Sequence, residues 1–368
     1  MASAEELRAS VTCGRAENLE PLMSRPLARV ALVLGAIVAT LGLSACGGDT
    51  QASSAAPLEV RLGYFPNLTH ATAIVADKEG FFAKHLGATR LKVSTFNAGP
   101  AAMEALKSGA IDATYVGPGP ATNAFINSGG EALTVVAGAA TGGTSLVVDP
   151  SIRSAADLKG KKVSAPQLGN TQDIALRYWL RQHGLKTDLQ GGGDVSVLPQ
   201  DNAQVVDAFK QKLVAGAWVP EPYATRLVQA GGKVLVDERD LWPGRKFAIT
   251  LLAVRTDFLA AHPQTVTALL AGDLDATDLI AKDPAKAQQD VADVIAKISG
   301  KPLKQSIIKA AWKQLEFTAD PVPSSLLTGA QHAFEVGVLT KEPKLDKLVD
   351  LRLLNQLLKE RGEAQIAQ

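Results

Sequence analysis

The chain has 368 residues, 46% of them apolar, with a formal net charge of +1 and two cysteines. A body of that length buries a large core without covalent staples, and its size predicts two domains or two lobes. Near-balanced charge with no basic run gives no electrostatic reason to expect nucleic acid or an anionic membrane surface as a partner.

Residues 1–22 fit neither a signal nor a domain, whereas Met23 opens a normal export signal, so the true start is expected at Met23. Arg25 and Arg29 precede an uncharged run from Val30 to Leu43, which leads into Leu43-Ser44-Ala45-Cys46-Gly47. A basic start orients such a segment, a short apolar core inserts, and small residues admit a peptidase. The run falls short of the about 20 apolar residues that a spanning helix needs. Residues 23–45 therefore read as a signal peptide. The cysteine after Leu-Ser-Ala resembles a bacterial lipobox, which predicts a lipid on Cys46 and a chain anchored at the extracytoplasmic face of the cell membrane. Cleavage before Cys46 discards Cys13 and leaves one cysteine, which excludes an internal disulfide. Residues 46–57, small and polar, read as a flexible tether.

From Leu58 onward strand and helix patterns alternate. Leu58-Glu59-Val60-Arg61-Leu62 keeps a period of two, and Ala71, Ile74 and Val75 keep a helical one up to Gly80. Residues 91–95 read as a strand, and 100–107 as a helix opened by Pro100 and stopped by Gly109. Strands are expected at 145–148, 162–165, 195–198 and 213–219, with a helix after each of the last three. Asp201 is expected to cap the helix carrying Val205, Val206 and Phe209. After a strand at 233–236, the apolar run 247–254 reads as a strand that returns the chain to its first half. The remainder is mostly helical, with Val266, Leu269 and Leu270 after Pro263 and Leu351, Leu354, Leu357 and Leu358 near the end. Alternation of this kind predicts an α/β fold with largely parallel sheets.

In open α/β sheets ligands bind beyond the carboxyl ends of the strands, where helix N-termini point unpaired N–H groups into one crevice. Four turns occupy such places: Gly63-Tyr64-Phe65-Pro66-Asn67-Leu68-Thr69-His70, Gly117-Pro118-Gly119-Pro120, Gly169-Asn170-Thr171-Gln172-Asp173 and Trp218-Val219-Pro220-Glu221-Pro222-Tyr223. They combine glycine, short hydroxyl or amide side chains, helix-opening proline and an aromatic ring, which suits a small polar ligand with an anionic head. Taken singly, each reads first as an ordinary turn, with Asn170 or Thr171 capping a helix and Trp218 and Tyr223 packing. Their convergence favours a site built from Tyr64, Phe65, Asn67, Gly117, Pro118, Gly119, Gly169, Asn170, Thr171, Gln172, Trp218 and Glu221. A carboxylate at Glu221 would repel an anion, so it is expected to meet an amine on a zwitterionic ligand; the alternative is that Glu221 and Asp173 only favour helix dipoles.

The five histidines, His70, His85, His183, His262 and His332, lack metal spacing, and the mature chain offers no free thiol. His70, the one histidine in a site loop, reads as solvated or as capping a helix start. Gly191-Gly192-Gly193 lacks the Lys-Ser/Thr of a phosphate loop. No catalytic residue, metal or cofactor is expected.

Several segments together carry a resemblance: Gly63-Tyr64-Phe65-Pro66-Asn67, Ala102-Met103-Glu104-Ala105-Leu106-Lys107-Ser108-Gly109-Ala110-Ile111-Asp112, Asp157-Leu158-Lys159-Gly160-Lys161-Lys162-Val163, the Gly169–Asp173 turn and the Trp218–Tyr223 turn. In this order the set resembles the solute-binding proteins of ATP-driven importers for nitrate, taurine and aliphatic sulfonates, from residue 58 to the end and most specifically over 58–230. Sulfonate binders favour a serine-rich turn where this chain has Asn170-Thr171-Gln172-Asp173, and a Trp-Asp-Pro-like turn where it has Trp-Val-Pro-Glu-Pro, so the solute stays open. The resemblance implies a type II periplasmic-binding-protein-like fold, with lobe 1 at 58–143 plus 249–368, lobe 2 at 144–248 and crossings near 142–145 and 247–252. It also implies a monomeric, non-enzymatic receptor of an ABC importer, whose partners are a small anionic or zwitterionic solute and a permease with its ATPase. Alternatives are an extracellular enzyme or ligand sensor of the same fold, or a binder of pyrimidine-type precursors.

Overall fold

Val60, Leu62 and Tyr64 alternate into the core along strand β1 (Glu59–Tyr64), and helices α1 (Ala71–Lys78) and α2 (Phe81–Leu86) cover that face. The computed structural model describes residues 58–367; the expected start, the export signal, Cys46 and the tether lie outside the described residues. The chain continues through β2 (Arg90–Thr95), α3 (Gly99–Lys107), β3 (Ala113–Val116), α4 (Pro118–Asn127) and the long β4 (Leu133–Gly142). It then builds β5 (Thr144–Val148), β6 (Lys162–Ala165), α5 (Thr171–Gln182), β7 (Ser196–Pro199), α6 (Asn202–Lys210), β8 (Gly216–Pro220), α7 (Tyr223–Gln229) and β9 (Lys233–Asp237). Last come β10 (Ala248–Arg255), α8 (Thr256–Ala261), α9 (Pro263–Lys282), α10 (Pro284–Ser299), α11 (Gln305–Trp312), β11 (Leu315–Phe317), α12 (Pro323–Glu335) and α13 (Arg352–Glu360).

Two sheets result, and each is the centre of one lobe of an α/β fold. The six-stranded sheet has the order β11-β4-β10-β3-β1-β2 and the five-stranded sheet the order β7-β6-β8-β5-β9. Pairs β1–β2, β1–β3, β6–β7 and β6–β8 are parallel, whereas β10 runs against β3 and β4, β11 against β4, and β5 against β8 and β9. The sheets are thus more mixed than the helix–strand alternation suggested. The reason is local: the strands that carry the chain between the sheets, β4 into β5 and β9 into β10, do not belong to β-α-β units and enter against their neighbours. Apolar clusters lie on both faces of each sheet, so both are covered by helices.

The first crossing is the pair Gly142-Gly143, with φ of 72° and 68°. A side chain there would be strained, and a Cβ on Gly142 would come within 2.8 Å of the Gln314 carbonyl oxygen. The second sheet's β8 begins at Gly216 rather than at 213, because Lys212 has a φ of 58° and Leu213 turns outward, 60% exposed. No helix among the described residues is long and apolar enough to cross a membrane.

Candidate functional site

The carboxyl ends of β1, β2, β3, β6 and β7 open on one region between the sheets, and the segments after them wall a cavity of about 20 Å³. Its lining includes Phe65, Asn67, Thr69, His70, Asn97, Ala98, Gly117, Asn170, Thr171, Gln172, Asn202, Pro220 and Ile249. Of the residues expected from the sequence, the structure brings Phe65, Asn67, Gly117, Asn170, Thr171 and Gln172 together here. Pro118 and Gly119 line an apolar cavity of about 30 Å³ that shares Thr171 and is closed by Ile174, Trp242, Phe247 and Leu326. Gly169 lies farther out, on a groove between α3 and α4.

The remaining three point elsewhere. Tyr64 is buried on the core side of β1 and donates its hydroxyl to Asp77 at 2.9 Å. Trp218 is fully buried and donates Nε1–H to Glu238 at 2.7 Å. Glu221 accepts from the Thr225 N–H and hydroxyl, both at 3.0 Å, so both carboxylate oxygens serve the start of α7. Burial pushes its carboxyl up to about 7.

Four helices begin at this cavity, and none has its first turn capped by its own N-cap side chain: α3 after Ala98, α4 after Gly117, α5 after Asn170 and α6 after Asp201. Asp201 therefore makes no cap bond, contrary to the expectation from sequence. Asn170 and Thr171 spend their capping oxygens on the opposite lobe: Asn170 Oδ1 accepts from the Gly99 N–H at 3.3 Å and Thr171 Oγ1 from the Gly119 N–H at 3.2 Å. Helix N-termini carry partial positive charge; α4 offers only that, because Pro118 and Pro120 have no N–H and the Gly119 N–H is taken by Thr171, so the N–H donors come mainly from α5 and α6. No lysine, arginine or carboxylate lines the cavity itself, so these termini set its polarity.

Two side-chain arrangements fix the donors. Asn170 Nδ2 donates to Gln172 Oε1 at 3.0 Å, which leaves the Gln172 amide hydrogens on its other edge. His70, expected to be solvated, is 2% exposed and stacks on Phe65 at 4.3 Å. Burial lowers its pKa to about 3, so it is neutral, and Nδ1 accepts from the Phe65 N–H at 3.2 Å. The proton therefore sits on Nε2, making that atom a donor. Asn202 is buried with its Oδ1 unbonded. Below the site, Asp173 takes the Gly169 N–H at 2.9 Å and pairs with fully buried Arg177 at 2.9 Å; Arg177 also donates to the Asp188 carbonyl. That pair holds the 169–173 turn in shape and makes no part of the cavity wall.

Thr69, His70, Asn97, Ala98, Asn202, Pro220 and Ile249 were not among the expected site residues. Among the described residues no group of three or more His, Cys, Asp or Glu side chains could hold a metal.

Similarity to known proteins follows the same lines. A binding protein of Brucella abortus is 30% identical over 244 residues, 65% of this chain and 71% of that one. The nitrate/nitrite binding protein of Nostoc sp. is 28% identical over 260 residues, 63% of this chain and 57% of the relative. Among solved structures, the alkanesulfonate-binding protein of Xanthomonas axonopodis pv. citri bound to MOPS matches at a TM-score of 0.66 and 20% identity, over 81% of this chain and 99% of that one. The periplasmic nitrate-binding protein of Synechocystis matches at 0.67 and 18%, over 83% and 89%. At these identities the structural matches carry the fold, the two-lobed periplasmic-binding-protein architecture. The sequence pattern of the NMT1-like family matches residues 53–296, and the chain belongs to that family.

Proposed function

We propose that this protein is the extracytoplasmic solute-binding component of an ABC importer, tethered by a lipid on Cys46, and that it captures a small anionic or zwitterionic solute of the sulfonate, taurine or nitrate class. The observation that carries this reading is the convergence of four helix N-termini, none capped by its own N-cap side chain, on a cavity lined by amides, hydroxyls and neutral His70. Such a cavity neutralises an anion by dipoles and N–H groups rather than by a counter-ion. The relatives named as sulfonate- and nitrate-binding proteins support the class. The adjoining apolar cavity beside Thr171 supports a solute with an organic tail over a bare inorganic ion. For a zwitterion two carboxylates lie beside the site: Asp201, which lines the adjoining space with Asn67 and Asn202, and Glu238, which lines the apolar cavity and accepts from Trp218; Glu221 is taken up by Thr225. Nothing in the arrangement calls for chemistry on the solute, so binding without turnover is expected.

A thermal-shift and calorimetric panel of methanesulfonate, taurine, nitrate, a pyrimidine and small carboxylates tests the reading. A ligand at 100 times its Kd adds about 2.7 kcal/mol to stability, a shift of several degrees. A melting temperature unmoved by every anion, or moved only by the pyrimidine, overturns the anion-binding reading. Cys46→Ala should release the protein from the membrane with affinity unchanged.

A further inference from the structure

On the side of the molecule where α6 and α7 face the α10–α11 connection, the two lobes flank a groove of about 440 Å³. Lys210, Arg226, Lys301 and Lys304 line it, and Asp207 is the carboxylate among its lining residues. None of these four cations has an ion-pair partner within 4 Å among the described residues. Arg226 lies over the Tyr223 ring at 5.4 Å. Ala203 and Tyr223 belong both to this groove and to a vestibule of about 60 Å³ that also holds Asp201. That vestibule in turn shares Phe65, Asn67, Asn97 and Asn202 with the buried cavity. The basic groove, the vestibule and the cavity at the helix termini thus adjoin in series, each pair sharing wall residues.

We propose that this groove is the entry route for the solute: its four cations gather anions at the lobe boundary and pass them by Tyr223 and Asn202 into the buried cavity. The inference rests on the anion-binding reading above. Charge lining a cleft raises the local concentration and on-rate of an oppositely charged ligand, and the effect falls steeply with salt. The cations lie outside the cavity, so they govern arrival rather than residence, because contacts made only on the way in alter the on-rate without holding the bound solute. Asp207 and Asp201 are the acids facing the path, and four cations outweigh them.

Stopped-flow binding by the full mature protein tests this, using whichever of nitrate and methanesulfonate binds the wild type more tightly. The quadruple variant Lys210→Gln/Arg226→Gln/Lys301→Gln/Lys304→Gln should lose about tenfold in on-rate at low salt with its off-rate unchanged. The difference should vanish near ~1 M salt, where the screening length falls to ~3 Å. A control with the same change in net charge, Lys92→Gln/Lys341→Gln/Lys344→Gln/Lys347→Gln, should keep the wild-type on-rate. Equal losses in both variants, or a loss confined to the off-rate, overturn the route while leaving the binding reading intact. A wild type that binds neither these two nor any other anion of the panel overturns the binding reading and the route with it.

Discussion

The two lobes meet where Gly119 in the first turn of α4 faces the start of α5, and Gly119→Ala turns that contact into a wedge. A Cβ at 119 would lie 3.0 Å from Thr171 Cα, 3.1 Å from Thr171 N and 2.9 Å from Ile174 Cδ1. Two of those three atoms are backbone and cannot rotate away, whereas carbon pairs prefer about 3.5–4.0 Å. Relief requires the lobes to part by several tenths of an ångström, which also stretches the 3.2 Å bond from the Gly119 N–H to Thr171 Oγ1. Overpacking of this kind costs about 1–3 kcal/mol, and it falls on the closed arrangement alone, since parted lobes have no such contact. Gly119 is helical, so alanine suits the open form, by up to about 1 kcal/mol. The expected outcome is a Kd for the bound anion weakened about 5- to 150-fold with the melting temperature of the ligand-free protein unchanged or slightly raised. Calorimetry with thermal unfolding of the ligand-free protein measures both. An unchanged Kd, or a loss of affinity matched by an equal loss of ligand-free stability, would refute the assignment of this contact to lobe closure.

Gln172→Glu places a like charge against the bound anion; at ~4 Å and an effective dielectric of 20 the repulsion is about 4 kcal/mol, so calorimetry should show affinity falling at least ~100-fold with the fold intact by circular dichroism. Glu238 is fully buried, and burial raises its carboxyl from 4.5 to about 7. A raised folded value gives stability that is complete below the unfolded value and lost as pH rises through about 7, by roughly 3 kcal/mol. Glu238→Gln keeps an acceptor for Trp218, so denaturant unfolding should find it near wild type at pH 4 and progressively more stable than wild type up to pH 8 and above. His70, lowered from 6.5 to about 3 by burial, acts in the opposite direction: its contribution is present above pH 6.5 and lost toward pH 3, and His70→Gln should flatten acid unfolding over that window.

The strand–helix alternation was legible because β1, β2, β5, β6, β7, β9 and β10 keep recognisable apolar runs bounded by turn residues. β4 was not: its ten residues are all buried, so no polar phase marks it. The turns that wall the cavity were legible from the strand-end rule at Phe65, Asn67, Gly117, Asn170, Thr171 and Gln172. The same rule, carried to β2 and β7, would have reached Asn97 and Asn202, whereas Ile249 on the returning β10 carries no local signal. Tyr64 was assigned to the wrong side although its phase was available: Val60, Leu62 and Tyr64 share one face of β1 and the same apolar cluster, so the residue that emerges toward the cavity is the next one, Phe65. Trp218 likewise shares its phase and cluster with neither Ala217 nor Val219. Glu221 misled for a different reason. A carboxylate near a cleft and a carboxylate at a helix start look alike in sequence, and Thr225, a turn later, decides between them.

The division of the helix termini between lobes gives the proposed site its mechanical consequence. α3 and α4 belong with the six-stranded sheet, α5 and α6 with the five-stranded one, and all four begin at one cavity. An anion held by one lobe alone in the open form meets two of these termini, and in the closed form it meets four. At about 0.3–1 kcal/mol for each added terminus, and up to ~2 where water is excluded, closure with solute bound gains on the order of 1–4 kcal/mol over closure without it. A differential of that size shifts the lobe equilibrium by roughly 5- to 1000-fold. A lysine or arginine in one wall would instead satisfy the anion before the lobes met. Helix termini split across the cleft make binding and closure one event, and the bonds from Gly99 to Asn170 and from Gly119 to Thr171 then need only be weak, so that the lobes can part again.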